Sequence, residues 1–178
     1  MIWFTADTHF HHAPVIKYCN RPFSSVEEMD EALIAAWNAR VSKTDIVYHL
    51  GDFALAHDHR LVRKTLGRLN GQKFLVRGNH DTVTVCKLGW AAPPEHITMK
   101  TVDGTQLVLC HYAMRVWPGQ HQGAIQIYGH SHGNLPGTHA SCDVGVDCWQ
   151  FAPVSIEDIK ARLAETPAVE RETGLTIP

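Results

Sequence analysis

Residues 45–52 of the chain, Asp-Ile-Val-Tyr-His-Leu-Gly-Asp, indicate the fold class most directly. This short run of β-prone residues stops at a polar Gly-Asp pair, and residues 2–7 and 73–79 repeat the arrangement. Between them, apolar residues recur every three or four positions in residues 25–40 and 61–69, which is the spacing of amphipathic helices. The order β-α-β-α-β predicts a parallel sheet covered on both faces, and therefore an α/β fold.

The second half of the chain is predicted to consist mainly of strands. The dipeptide Asp103-Gly104 between two apolar runs predicts a β-hairpin. Further Gly and Pro residues separate short β-prone runs, so strands are expected at 98–101, 106–110, 123–128 and 141–146. A serine with an acidic residue three positions later predicts helix starts at Ser25 and Ser155, and the second of these helices is expected to run to about Ala164.

Length and composition bound the domain organisation. The 178 residues suit one ordinary domain, and a 44% share of hydrophobic residues permits a buried core without disulfide bridges. We expect a single domain over residues 1–164. Residues 165–178 are polar and interrupted by proline, which predicts a loosely ordered tail.

Charge and cysteine content exclude several protein classes. Sixteen basic and eighteen acidic residues give a net charge of -2, so strong nucleic-acid binding is not expected. The five cysteines are scattered without a C-x-x-C pair, which is typical of reduced thiols in a cytoplasmic protein. No apolar run approaches the roughly 18 residues of a membrane span, and the first residues lack the basic region of a signal peptide.

The chemistry-bearing residues fall where the predicted strands end. The chain has 13 histidines, and several of them join Asp and Asn residues directly after strands. In open α/β sheets, ligands bind at the carboxyl ends of the strands. The candidate metal ligands at these ends are Asp7, His9, Asp52, Asn79, His111, His130 and His132.

This set of nitrogen and oxygen ligands predicts more than one metal ion. Seven ligands without a cysteine exceed one tetrahedral site and suit two divalent ions that share a carboxylate. The mixed donors favour Mn, Fe, Zn, Co or Ni over Ca or Mg. If the D-x-H and H-x-H segments are extended, both side chains of each pair share one face and reach one centre. Glycines at 51, 78 and 129 would let the backbone turn beneath the metals.

The order of these motifs resembles that of the calcineurin-like metallophosphoesterases. Asp-x-His, Gly-Asp, Gly-Asn-His-Asp, a lone His and Gly-His-x-His follow one another between residues 7 and 132. The opening Asp-Thr-His-Phe-His-His and the short length are similar to small bacterial and phage members. The resemblance implies a two-sheet β-sandwich flanked by helices, in four layers α/β/β/α.

The resemblance also implies roles for individual residues. One metal would be held by Asp7, His9 and His132, the other by Asn79, His111 and His130, with Asp52 bridging both. His80 would protonate the leaving group or bind phosphate beside Asn79. The implied reaction is hydrolysis of a phosphate ester by a hydroxide that bridges two divalent ions such as Mn, Fe, Zn or Ni.

Departures from related motifs favour a small phosphate diester as substrate. Ser/Thr protein phosphatases of this superfamily carry Gly-Asp-x-Val-Asp-Arg-Gly and Gly-Asn-His-Glu. Here residues 51–57 lack the Asp-Arg pair, and the second block ends in Asp81. A missing arginine favours a diester over a dianionic monoester, unless Arg21 or Arg115 supplies that charge from another loop.

Several alternatives stay open at this point. Phosphomonoesterase or nucleotide pyrophosphatase activity would use the same metals, a non-catalytic scaffold would keep the fold for binding, and DNA cleavage would need a local basic patch. Asp81 either orients His80 or faces solvent. His11 and His12 are candidates for the rim of the pocket, and the oligomeric state is left undefined.

Overall fold

The computed structural model describes residues 1–56 and 58–166, and its first half is built on a parallel sheet. The three strands are β1 (Ile2–Thr5), β2 (Ile46–His49) and β3 (Gln72–Leu75), in that order. Thr5, His49 and Leu75 lie in one row, so the three strands end level. The residues that follow them therefore emerge at one edge of the sheet.

Within the described residues, five α-helices connect and flank the strands: α1 (Ala13–Tyr18), α2 (Val26–Arg40), α3 (His59–Arg68), α4 (Val83–Cys86) and α5 (Ile156–Glu165). The Ser25 hydroxyl accepts a hydrogen bond from the Glu28 backbone N–H, whereas the Glu28 carboxylate reaches back to Ser24. At Ser155 the capping box is complete in both directions. Helices α1 and α4 were not predicted, because six and four residues are too few to show a helical period.

A second sheet contains the remaining strands: β4 (Ile97–Val102), β5 (Thr105–Cys110), β6 (Ile125–Tyr128) and β7 (Ser141–Asp143). The predicted hairpin joins β4 and β5, and both Asp103 and Gly104 have positive φ, as a two-residue hairpin turn requires. Strands β5, β6 and β7 pair in parallel, so their carboxyl ends also share one edge.

Alternating side chains divide the interior into layers. Trp3 and Val47 pack on one face of the first sheet, in a core shared with helices α2 and α3. Phe4 and Tyr48 point to the other face and pack against apolar side chains of the second sheet, such as Leu109. Helix α5 contacts β1 and β7, which are edge strands of the two sheets.

This architecture confirms the predicted α/β fold of two sheets flanked by helices. On the outer face of the second sheet, Val108 packs against Trp117 and Ala124 of the following segment. The last two strands are shorter than predicted. Strand β6 begins only at Ile125, because Gly123 adopts a left-handed turn before it, and strand β7 ends at Asp143.

No helix in residues 1–56 or 58–166 is long and apolar enough to cross a membrane. The predicted tail lies outside the described residues from position 167 onward.

Candidate metal centre

The carboxyl ends of both sheets meet at the candidate site. Asp7, Asp52 and Asn79 follow β1, β2 and β3 of the first sheet, while His111 and His130 follow β5 and β6 of the second. Because these strands are parallel within each sheet, their ends supply ligands from loops that converge. The site therefore lies at the seam between the two sheets.

A first cluster of ligand atoms consists of Asp7, His9 and His132, whose donor atoms all lie within 4.8 Å of one another. Asp7 Oδ2 accepts a hydrogen bond from the backbone N–H of His130 at 2.8 Å. Asp7 Oδ1 and both ring nitrogens of His9 are buried and have no hydrogen-bond partner among the described residues. Buried polar atoms normally have a hydrogen-bond partner, so the absence of one at these atoms is consistent with their binding a cation.

A second cluster contains Asp52, His111 and His130, again with donor atoms within 4.8 Å of one another. The Asn79 amide oxygen lies 3.0 Å from His111 Nε2. Asp52 Oδ2 lies 3.4 Å from His111 Nε2 and 3.6 Å from His9 Nε2. Asp52 thus joins the two clusters, and imidazole with carboxylate suits borderline divalent metals.

The backbone at these ligands is left-handed rather than extended. Asp7, His9, Asp52, His130 and His132 have φ between 48° and 67°. Non-glycine residues adopt this region rarely, and such conformations concentrate at functional sites. The expectation of extended pairs reaching one centre is therefore wrong for the H-x-H segment, because His130 and His132 belong to different clusters.

Glycines serve the site in two different ways. Gly51 has a φ of 96°, which makes the sharp turn that was predicted. Gly78 does not have positive φ, but a Cβ atom there would lie 2.3 Å from Asp52 Oδ1. Gly129 likewise leaves room for Asp7 Oδ2, which would lie 2.6 Å from an added Cβ. These two positions need glycine for space rather than for conformation.

Hydrogen bonds on the far side of two imidazole rings fix their orientation. His111 Nδ1 lies 2.8 Å from the Leu50 carbonyl oxygen, which leaves Nε2 facing Asp52. His132 Nδ1 lies 2.7 Å from Asp147 Oδ2. Such outer partners orient histidine ligands and raise their basicity. Asp147 lies 15 positions after His132 and outside the motifs of the sequence analysis, so this role could not be predicted from the sequence.

Burial and neighbouring charges shift the pKa values of the candidate ligands. Burial raises the pKa of Asp7 to about 7 and lowers the pKa of His9 to about 3. Burial also raises the pKa of Asp52, but His111, the His80 backbone N–H and His9 together outweigh it, and the pKa is lowered to about 2. A divalent ion reverses the effect of burial on Asp7, because it stabilises the carboxylate.

Arg21, a predicted substrate contact, lies behind the site rather than in it. Its side chain is completely buried, and its Nε and Nη2 atoms hold Asp147 at 2.8 and 2.9 Å. The remaining guanidinium hydrogens go to the backbone oxygens of Asp7 and Thr8 and to the sulfur of Met29. Arginine has five N–H donors, and all are occupied, so none is free for a phosphate.

His80 and His12 flank the first cluster. The His80 backbone N–H donates to Asp52 Oδ1 at 2.8 Å, while its side chain is exposed. The His80 ring centre lies 5.4 Å from that of His9 and 6.3 Å from that of His12. Both rings therefore border the space over the first cluster. Arg115 is exposed on the segment that follows His111.

Asp81 and His11, for which the sequence left alternative roles, both make structural contacts. Asp81 is buried and accepts hydrogen bonds from the backbone N–H groups of Asp52, Phe53 and Gly78. It neither orients the neighbouring His80 nor faces solvent, but ties the loops after β2 and β3 together. His11 turns away from the site, where its ring nitrogens contact Asp30 and Thr65.

Comparisons with known proteins match most of the chain. A model of the calcineurin-like phosphoesterase superfamily domain matches residues 1–159. An uncharacterized protein of Methanocaldococcus jannaschii, MJ1445, is 38% identical over 96% of this chain and 94% of its own. The Gene 66 protein of Mycobacterium phage D29 is 25% identical over 83% of this chain and 88% of its own.

Two solved structures share the fold. The Aquifex aeolicus protein AQ665, whose function is unknown, superimposes with a TM-score of 0.74 over 91% of this chain and 98% of its own, at 22% identity. An archaeal phosphodiesterase superimposes with a TM-score of 0.50 over 81% of each chain, at 19% identity. At these identities the likeness extends to the fold alone.

Proposed function

Because this chain belongs to the calcineurin-like phosphoesterase superfamily, we propose that it is a hydrolase that uses two divalent metal ions to cleave a small phosphate diester. The observation that carries the proposal is the position of Asp52. Its carboxylate lies between a cluster with His9 and a cluster with His111, which is the arrangement that a shared ligand requires. Mn, Fe, Zn and Ni are the metals that these donors suit.

The residues of the chain would divide the chemistry among them. Metals bound in the two clusters would activate a water nucleophile and neutralise charge on the phosphoryl oxygens. The exposed His80 imidazole, whose backbone is held by Asp52, can donate a proton to the departing oxygen. Asn79 borders the second cluster beside His111 and contributes an amide to the phosphate or the metal.

The distribution of arginines supports a diester. A dianionic monoester needs one more positive charge at the site than a diester does, and Arg21 is consumed by Asp147 and two backbone oxygens. Of the two arginines proposed for phosphate binding, only Arg115 remains free for substrate, on an exposed loop. The monoesterase alternative therefore rests on Arg115.

The test is hydrolysis by metal-stripped protein to which Mn, Fe, Zn or Ni is returned. Bis-p-nitrophenyl phosphate and p-nitrophenyl phosphate are compared at equal concentration, with bound metal counted by mass spectrometry. We expect a metal-restored rate that is higher on the diester. A higher rate on the monoester would replace the diester proposal, and protein that binds two metals without turnover would support a scaffold.

Two variants separate the metal ligand from the proton donor. Asp52→Asn is expected to lose metal and activity together. His80→Ala is expected to keep its metal but to lose about 10²–10⁴-fold in rate on esters with poor leaving groups, and less on p-nitrophenyl esters, whose leaving group needs no proton. His121→Ala, an exposed histidine outside the site, is the matched control. A normal rate for His80→Ala on poor leaving groups would contradict its role.

The cysteines and the net charge bear on the cellular compartment and the binding partner. All five cysteines are free thiols in the structure. Free thiols persist in a reducing compartment, so the cytoplasm is the compartment we propose. A net charge of -2 supports a small phosphate ester as the binding partner instead of a long nucleic acid.

A further inference from the structure

Exposed aromatic rings are confined to the two flanks of the metal centre. The chain has six Phe, five Trp and four Tyr, all of them within the described residues. Of these, only Tyr18 and Tyr112 are largely exposed, at 78% and 45%. A tyrosine combines an apolar ring with a polar hydroxyl group, so exposed tyrosines beside a site are suited to stack on a ligand.

Tyr18 lies on the flank of the first cluster. It ends helix α1, and its ring meets that of His12 edge-on, with ring centres 6.5 Å apart. The His12 ring in turn lies 5.3 Å from that of His9. The His12 ring therefore lies between Tyr18 and His9, a member of the first cluster.

Tyr112 lies on the flank of the second cluster. Its ring centre is 4.8 Å from that of His130 and 5.0 Å from that of His111. Its hydroxyl group is 3.4 Å from the Asn79 amide oxygen. Because Asp52 stands between His9 and His111, one tyrosine lies on the side of each of the two clusters that this carboxylate joins.

This placement matches the shape of a diester, which has one substituent on each side of phosphorus. We propose that the substrate is a short nucleotide diester, with a nucleobase on either side of the scissile phosphate. Tyr18 and Tyr112 would each stack on one base. This inference rests on the proposed function, since it names the substrate class of the same site.

Charge limits the length of this substrate. Tight binding of a long strand depends on many contacts between basic side chains and phosphates, and the chain carries a net charge of -2. Stacking on aromatic side chains supplies affinity without a basic stripe and tolerates any base. A dinucleotide or a very short single strand therefore fits better than a duplex.

The position of the rings also favours a ligand over a protein partner. A protein interface needs a continuous apolar core, whereas the two tyrosines are separated by histidines and a carboxylate. The alternative is that a second copy of the chain binds through these rings. The oligomeric state of the tyrosine variants tests that alternative.

The experiment compares two substrates that differ by a base. Metal-loaded protein is given a thymidine dinucleotide and the same compound with one base removed. Stacking of one base on an aromatic side chain is worth roughly 5- to 150-fold in affinity. We expect KM to rise by about that factor when the base is absent, with a smaller change in kcat.

Variants identify the rings responsible. Tyr18→Leu and Tyr112→Leu are expected to raise KM for the dinucleotide about tenfold each, while Tyr18→Phe and Tyr112→Phe stay near the wild type because they keep the ring. Titration calorimetry with a dinucleotide methylenephosphonate, in which CH2 replaces the oxygen that would depart, measures the same loss as binding. Ile97→Ala, at an exposed apolar residue of β4 outside the site, is the control.

The outcomes separate this inference from the proposed function. Each tyrosine is assigned one base, so one leucine variant should weaken only the complete dinucleotide and the other should weaken both substrates. Equal KM values with and without the base, the same loss on both substrates for each of the two leucine variants, or a changed oligomeric state in these variants would overturn the stacking role. Hydrolysis of bis-p-nitrophenyl phosphate by the same preparation shows whether the hydrolase is active. If that activity is absent with every metal, the proposed function fails first.

Discussion

Gly78 shows how closely the loops that follow β2 and β3 approach each other. An added Cβ would lie 2.3 Å from Asp52 Oδ1 and 2.5 Å from its backbone nitrogen. We expect Gly78→Ala to displace the Asp52 carboxylate and to weaken metal binding about 10- to 100-fold, as changes to groups that support metal ligands do. Metal titration followed by calorimetry measures the loss.

Gly67→Ala is the matched substitution. Gly67 lies within helix α3, and no atom comes within 4 Å of an added Cβ. Alanine there is expected to stabilise the protein by about 0.5–1 kcal/mol and to leave metal binding unchanged. If Gly78→Ala bound metal as tightly as Gly67→Ala, the proposed crowding against Asp52 would be incorrect.

Arg21 and Arg115 are expected to differ in what they support. Arg21→Met removes the buried cation that pairs with Asp147, which typically costs about 3–5 kcal/mol, and the carboxylate that orients His132 then has no arginine to hold it in place. Urea unfolding and metal titration should both show the loss. Arg115→Met, at an exposed position, should leave both unchanged and raise KM only for the monoester. A fall in stability for Arg115→Met would contradict this division.

At the scale of elements, level strand ends create the site. Thr5, His49 and Leu75 share one row of the first sheet, so Asp7 and Asp52 emerge side by side. Asp81 then joins the two loops that follow β2 and β3 through three backbone hydrogen bonds. The strands determine where the ligands meet, and short polar links determine their distances.

The starts of β1 and β2 are tied by Asp45, and this link predicts a pH dependence. Hydrogen bonds from the Met1 amino group, the Ser42 backbone N–H and the Trp3 indole hold the pKa of Asp45 well below its usual range. A lowered pKa stabilises the fold above the unfolded value, which is about 3.9, and this contribution disappears as pH falls through the folded value.

Asp45→Asn should therefore be less stable than the wild type at neutral pH, and the difference should shrink below about pH 4. Urea unfolding of both proteins between pH 3 and pH 7 measures it. A difference that stays constant over this range would show that the charge of Asp45 does not contribute.

At the scale of the molecule, the metal centre and the fold depend on each other. The ligands come from both sheets, and Asp7 and His9 leave buried atoms without partners among the described residues. A ligand that binds only the folded state at 100 times its dissociation constant adds about 2.7 kcal/mol. For a chain of this size we expect manganese to raise the melting temperature by about 5–10 °C.

Asp52→Asn provides the comparison for this prediction. Its melting temperature should respond little to added metal, because the ligand shared by the two clusters is gone. Chelation should return the wild-type protein to its metal-free melting temperature. A wild-type protein that none of Mn, Fe, Zn or Ni stabilises would contradict the assignment of the clusters as metal sites.

The sequence by itself determined the fold class and the ligand types. Alternating apolar runs and polar strand ends predicted the α/β fold, because hydrophobic periodicity and strand-end chemistry are local properties of the chain. The residues predicted for the two metals are those that the structure gathers into two clusters around Asp52, with Asn79 beside the second.

Only the tertiary structure decided the residues whose roles depend on distant partners. Arg21 and Asp147 are 126 positions apart, and nothing local distinguishes a buried guanidinium from one that binds phosphate. The same holds for Asp81, whose three backbone partners become neighbours only when β2 and β3 pair. The left-handed backbone at Asp7 and His132 also escaped prediction, because the surrounding fold imposes that conformation against the local preference of the residues.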